Sequence, residues 1–296
     1  MKAAPFAYSR AVDIDEACAL LAADEGARVI AGGQTLVPMM AMRLARPTHL
    51  VDINRIAALS YVREQAGFVA IGATTRQCLI ERDALVKKSL PLLARAVPFI
   101  GHAATRARGT VGGSLAHADP AAELPLIAAT LDAVMTYRAG GSDGEIAARD
   151  FFTGLMTTGL PAGACLTSVR FPVWHDETRV GVGFHEVNAR RSDFAFVAAA
   201  AQVALDGAGK AKRIAIGVGA ATDVPLRLDT AEEALIGGAL DEAKVTEALR
   251  AALAGVEMLS DLHASADYRR RAAVALAARA IADAKAGALG SKARAH

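Results

Sequence analysis

Two glycine doublets carry most of the chemistry legible in this chain. They lie in Ala31-Gly32-Gly33-Gln34-Thr35 and in Thr110-Val111-Gly112-Gly113-Ser114, each beside an apolar run and small polar residues. Residues without a Cβ let backbone approach an anion closely and adopt the positive φ that turns successive amides inward. The two loops therefore read as halves of one phosphate cradle. A cradle large enough for a pyrophosphate implies a bound dinucleotide.

Other side chains with chemical potential are fewer. His117 is either a hydrogen-bonded structural residue or a group beside the cofactor. Asp119 and Glu123, four apart, read either as an acid–base pair or as acceptors for a ligand's hydroxyl or amine, and the second reading is preferred. Gly217-Val218-Gly219-Ala220-Ala221-Thr222 starts like a nicotinamide-dinucleotide fingerprint, but the third glycine is missing. Asp223-Val224-Pro225 stands where its helix should begin, so a turn is expected instead. Cys18, Cys78 and Cys165 are isolated from one another, which leaves no local ligand set for zinc or an iron–sulfur cluster and no metal site. There is no G-x-S-x-G, Walker A lysine loop or H-E-x-x-H, so hydrolase and phosphoryl-transfer readings have no support. No side-chain catalyst is expected.

The 296 residues, 53% apolar and 22% charged, can bury a large core divided into one to three domains. A net charge of +2, with only 5% aromatics, gives neither a basic block nor a stacking platform, so nucleic acid is not an expected partner. No apolar run reaches the length of a membrane span. The opening Met1-Lys2-Ala3-Ala4-Pro5-Phe6 lacks the apolar core of a signal peptide. The expected compartment is the cytoplasm, with the cysteines as buried free thiols.

The elements that must hold these loops fall into three segments. In residues 1–55, Asp13-Ile14-Asp15-Glu16 starts a helix that Gly26 can end, and a strand over 28–31 feeds the first doublet. Thr35 is then placed to cap a short helix over 36–42, and 50–54 reads as a strand. In residues 56–175, a hairpin over 61–71 leads through Gly72-Ala73-Thr74-Thr75 into helix. A basic loop, Thr105-Arg106-Ala107-Arg108-Gly109, delivers the second doublet, and strands follow over 134–137, 145–146 and 165–171. In residues 176–287, strands are expected over 181–187 and 213–218 around an apolar run at 194–205. Helices follow over 242–253 and 268–285. Residues 288–296 read as a frayed tail.

At the two loops the sequence resembles a known family. The stretch from Ala31 to Met40, continuing through Arg43-Leu44-Ala45-Arg46-Pro47, is similar to the first FAD loop of the medium, flavin-binding subunit of molybdenum hydroxylases. That group contains aerobic carbon monoxide dehydrogenase and xanthine dehydrogenase. Gly109-Thr110-Val111-Gly112-Gly113-Ser114-Leu115-Ala116-His117-Ala118-Asp119-Pro120, continuing through Glu123-Leu124-Pro125, is similar to the second FAD loop. Arg190-Arg191-Ser192-Asp193-Phe194-Ala195 resembles the start of the family's C-terminal domain.

The resemblance implies an α+β fold: two subdomains gripping FAD, of the vanillyl-alcohol oxidase and p-cresol methylhydroxylase type, plus a C-terminal α+β domain. It implies that Val29, Ile30, Ala31, Gly32, Gly33, Gln34, Thr35 and Leu36 wrap the pyrophosphate. Thr110, Gly113, Ser114, His117, Asp119 and Glu123 would complete the site, with Gly101, Cys165 and Leu166 lining it. Ser114 stands where many relatives have asparagine. His185 stands where some have a lysine beside the flavin pyrimidine edge, with Arg190 as another source of charge. The implied role is an electron-transfer subunit. It would take electrons from a small subunit with two [2Fe–2S] clusters, beside a large molybdenum-cofactor subunit, and deliver them to an external acceptor. Two other readings stay open: a self-sufficient flavin oxidoreductase with its own small organic substrate, and a flavin-free scaffold.

Overall fold

The computed structural model describes residues 2–174, 177 and 179–290. Its three principal sheets come from successive stretches of chain. The first is parallel, with β1 (Ala7–Arg10) and β2 (Ala27–Ile30) flanking β3 (His49–Asp52). Parallel neighbours need crossovers. These are α1 (Ile14–Ala23), between β1 and β2, and the first glycine loop with α2 (Leu36–Ala41), between β2 and β3. Asp13 caps α1 by accepting from the Glu16 amide at 2.8 Å, while the Glu16 carboxylate accepts from the Val12 amide at 2.7 Å. Gly26 does not end this helix, which stops at Ala23. Its missing side chain instead makes room for Thr48, whose Oγ1 lies 2.2 Å from where a Cβ would sit.

The second sheet is antiparallel and carries the larger core. β4 (Val62–Gln65), β5 (Phe68–Gly72), β6 (Val134–Ala139) and β7 (Ser142–Ala147) join β10 (Cys165–Pro172) in the order β4-β5-β10-β6-β7. A small hairpin of β8 (Phe152–Gly154) and β9 (Thr157–Thr158) precedes β10. Between β5 and β6 the chain runs through α3 (Gln77–Arg82), α4 (Ala84–Ser89), α5 (Pro91–Ala96), α6 (Ala103–Arg108), α7 (Val111–His117) and α8 (Glu123–Thr130). The short α9 (Ala148–Phe151) follows β7. Val69, Ile71, Leu92, Leu115, Leu126 and Phe171 bury their side chains together here. The expected basic loop over 105–109 is the end of α6. Alanines alternating with arginines wind as helix, and the arginines keep their charged ends in water or on partners.

The third sheet is antiparallel: β11 (Val180–Val187), β12 (Val197–Leu205), β13 (Ala211–Gly219) and β14 (Leu226–Arg227). All nine residues of β12 are buried. Ala198 and Ala200 face the core of the second unit, while Val197, Ala199, Ala201 and Val203 face a separate core beneath α10 (Asp229–Leu235), α11 (Glu242–Leu253) and α12 (Ala266–Ala288). This two-sided burial explains why β12 reads as an unbroken apolar run rather than an alternation. Gly217 and Gly219 end β13, and the chain bends over 220–224 before β14, so the degenerate dinucleotide fingerprint is a strand end followed by the expected turn rather than a helix start. A Cβ at Gly217 would meet Thr130 Oγ1 at 1.8 Å. The final helix reaches Ala288, so the tail starts later than expected, and residues 291–296 lie outside the described residues. Among the described residues no helix is long and apolar enough to cross a membrane.

Candidate cofactor site

The first glycine loop leaves β2 and turns sharply at Gly33, whose φ of +70° is the left-handed value that glycine adopts freely. Val37 and Met39 donate their amides to the carbonyls of Gly33 and Thr35 at 3.1 Å. Among the described residues, no protein acceptor takes the amides of Gly32, Gly33, Gln34 or Thr35. Four successive free donors at the start of a helix form an anion nest. Thr35 is not the side-chain cap expected of it; its backbone is already helical and its hydroxyl caps nothing.

The second loop is built differently. Val111 donates its amide to Thr75 O, Gly112 to Ala73 O, Gly113 to Thr110 Oγ1 and Ser114 to Thr110 O, at 2.9–3.2 Å. Its amides are thus committed to the protein, and the anticipated pair of facing nests is one nest opposite a capped helix. The glycines serve approach instead. A Cβ at Gly112 would lie 2.5 Å from Ala73 Cβ, so this residue lets α7 sit on the end of β5, whereas a Cβ at Gly113 would meet only Thr110 Oγ1 at 2.7 Å. The two loops touch through Gly32, where a Cβ would stand 2.4 Å from Arg108 O and 2.9 Å from Gly109 Cα.

Between them lies a cleft of about 590 Å³, within the range of cofactor sites. Val29, Ala31, Gly32, Gly33, Gln34, Thr35 and Leu36 line one wall. Gly101, Thr110, Gly113, Ser114, His117, Asp119 and Glu123 line the other, with Cys165 and Leu166 at the start of β10. Ile30 and His185 are not brought to it. Ile30 points to the opposite face of β2 from Val29 and Ala31, as strand alternation requires. On β11 the same parity sends Phe184 into the core, 4.8 Å from the Phe99 ring, and turns His185 toward α12, where Nε2 lies 3.0 Å from Asp283 Oδ2. His185 therefore stands outside the cleft lining, paired with α12.

Sequence reasoning missed several lining residues. Gln77 is buried at the cleft wall, and its Oε1 has no hydrogen-bond partner in the structure. Ser192, Asp193 and Phe194 reach the cleft from the β11–β12 connection. Phe194 is 70% exposed. The stretch over 190–195 had suggested a domain start and a charge at Arg190, but not this lining, because contacts across such a separation leave no local signal. Arg106 fixes the Gly101 turn by donating to the carbonyls of Ile100 and Gly101 at 3.0 Å, and its ion pair holds the Glu81 carboxyl below the usual range.

The cleft is electrically polarised. The stretches 26–51 and 84–118, which carry both glycine loops, contain no carboxylate. Asp119 and Glu123 mark the other end. Asp119 Oδ1 accepts from the Ala121 amide at 2.9 Å, and His117 Nε2 lies 4.0 Å from its Oδ2. Burial, reinforced by Asp119, pushes the Glu123 carboxyl up to about 7; burial and Glu123 push Glu186 up to about 8. Burial, with Cys18 nearby, raises the Cys165 thiol to about 12, so it is no nucleophile. Among the described residues no cluster of three His, Cys, Asp or Glu could hold a metal ion.

The raised Glu123 pKa has a thermodynamic consequence. Its folded value lies above the model-peptide one, so its contribution is fully present below about pH 4.5 and is lost as pH rises through about 7. The flavin-free chain is expected to lose on the order of 2 kcal/mol between pH 5 and 8, a figure discounted for partial exposure to the cleft. Glu123→Gln should flatten that slope in urea titrations at the two pH values. Parallel slopes in the two proteins would remove Glu123 as its source.

The polarised cleft, the free amides and the unpartnered Gln77 acceptor fit a dinucleotide with an anionic centre and hydrogen-bonding ends. Comparisons with known proteins identify that class more closely. Residues 4–174 match the family described as the FAD binding domain in molybdopterin dehydrogenase, and residues 183–284 match the CO dehydrogenase flavoprotein C-terminal domain. The chain is 35% identical to the 6-hydroxypseudooxynicotine dehydrogenase complex subunit alpha of Paenarthrobacter nicotinovorans, over 96% of each chain. It is 36% identical to the carbon monoxide dehydrogenase medium chain of Afipia carboxidovorans, over 95% of this chain and 97% of that one. In three dimensions it superposes on a chain of quinoline 2-oxidoreductase from Pseudomonas putida 86 with a TM-score of 0.91 and 36% identity, covering 98% of this chain and 100% of that one. The chain belongs to the FAD-binding medium subunits of the molybdenum hydroxylases. It is an oxidoreductase component whose cofactor is FAD.

Proposed function

We propose that this chain relays electrons between two partners rather than oxidising a substrate itself. The small partner would carry two [2Fe–2S] clusters and supply the electrons. A large molybdenum-cofactor subunit would hold the substrate, and an external acceptor would take the electrons away. The observation that carries the reading is the set of four unclaimed amides at residues 32–35, set across the cleft from a helix start. Bound FAD supplies a carrier able to take electrons singly and release them in pairs. The chain's residues do the holding: the 32–35 amides take the pyrophosphate, Ser114 and Gln77 offer polar contacts, and Asp119 and Glu123 accept from hydroxyl or amine groups. No general base is required for this role.

We read residues 1–55 and 56–175 as the two halves of the grip and 176–287 as the C-terminal domain. The support is that the sheets are built from residues 7–52, 62–172 and 180–227. The cytoplasm is the compartment that suits three free thiols. The test begins with the visible spectrum of the purified chain and chromatography of its acid-released chromophore, where about one equivalent of FAD is expected. The flavin should then bleach anaerobically when dithionite-reduced iron–sulfur partner is added, and not when small aldehydes or N-heterocycles are added to the chain alone. Bleaching by such a substrate without partners would establish the self-sufficient oxidoreductase instead.

A further inference from the structure

Behind the two glycine loops, outside the cleft lining, two side chains join them. Asn54 follows β3, and its Nδ2 donates to Ala31 O at 2.8 Å, the carbonyl immediately before Gly32. The same Nδ2 also donates to Asp52 Oδ1 at 2.7 Å, and the Asn54 amide donates to that oxygen at 2.8 Å, so the carboxamide is held in one orientation. Its other end accepts from Arg76 Nη2 at 2.8 Å. Arg76 Nη1 donates to Arg108 O, the carbonyl against which Gly32 packs. Arg76 also bridges Thr110 through its backbone, and the following Gln77 amide donates to Gly109 O at 2.9 Å. One continuous path therefore runs from Ala31 through Asn54 and Arg76 to Arg108, spanning the first and second sheets.

We propose that Asn54 and Arg76 form a clamp that sets the separation of the two loops and thereby the affinity for FAD. The inference rests on the FAD reading above. Both are positioning residues: neither lines the cleft, and each acts through a backbone carbonyl of a loop. A guanidinium suits the task because its planar fork serves two acceptors at once, Asn54 Oδ1 and Arg108 O, whereas an ammonium on a flexible stem is a point charge. The carboxamide suits it because only an amide offers a donor to Ala31 O and an acceptor to Arg76 from one rigid group. The first sheet meets the second across Gly32, where the backbones have no room to adjust. The clamp thus ties the nest on one unit to the helix start on the other.

The test measures FAD dissociation constants by flavin fluorescence on flavin-stripped full-length chain, beside the thermal midpoint of the same stripped protein. Arg76→Lys and Asn54→Asp are the variants. The aspartate keeps the acceptor for Arg76 and loses the donor to Ala31 O. Each should weaken FAD by about ten- to a hundred-fold, as expected for misplacing pre-organised donors. The stripped protein's midpoint should stay near wild type, and the double variant should lose less than the product of the single losses, because both cut one path. Wild-type affinity in both variants would overturn the clamp. So would losses of affinity matched by equal losses of stability, or strictly multiplicative effects. Failure of the wild-type chain to bind FAD at all would instead remove the reading on which the clamp rests.

Discussion

Gly32→Ala is expected to abolish FAD retention while leaving the chain folded. The added methyl would lie 2.4 Å from Arg108 O and 2.9 Å from Gly109 Cα, both backbone atoms that cannot rotate away. The collision can be relieved only by parting the two loops, which moves the 32–35 amides away from the opposite wall. A shift of about 1 Å in pre-organised donors is enough to cost two orders of magnitude, so a loss of at least about a hundred-fold in affinity, near 3 kcal/mol, is anticipated. Gly207→Ala is the control, because no heavy atom lies within 4 Å of its Cβ position and its φ is not positive. Equilibrium dialysis of both variants against FAD checks the argument. Full occupancy in Gly32→Ala would mean that contact between the loops does not govern binding.

The first loop was legible because its signal is local: a strand, two glycines and a short helix in one stretch. The second was legible as a participant but not in its mechanism. A glycine in sequence looks the same whether it frees an amide for an anion or clears space for Ala73, and Gly112 does the latter. Strand parity puts His185 outside the cleft lining, on the α12 side of β11. Its neighbours on both sides of β11 face packed surfaces, so polarity along the strand did not mark which face met the cleft. Helix α6 was hidden as a loop because three charged or polar residues among alanines carry no apolar period for a core to impose. Asn54 and Arg76 left no trace at all. Their pairing spans 22 residues and two sheets, and depends on how the sheets meet rather than on any motif.

Gly183→Ala should cost more in stability than any substitution in the cleft. β11 and α12 approach so closely that a Cβ at Gly183 would lie 2.1 Å from Ala280 O and 2.7 Å from Ala280 Cα, while Gly181 meets Ala284 O at 1.9 Å in the same way. Ala273, Ala277, Ala280 and Ala284 bury the matching face of the helix, so small residues on both sides create this seat. A methyl there must push α12 off the sheet. Overpacking against backbone belongs at the upper end of the 1–3 kcal/mol range and beyond it, which corresponds to a fall in melting midpoint of roughly 6–12 °C for a domain of this size. The injury should also reach the cleft, since the β11–β12 connection bearing Ser192, Asp193 and Phe194 is anchored by this sheet. Flavin-bound protein carrying Gly183→Ala is therefore expected to release FAD at a lower temperature than wild type, in step with its loss of circular dichroism. A midpoint within about 2 °C of wild type would show that the helix can shift freely, and the close seat would then have no energetic role.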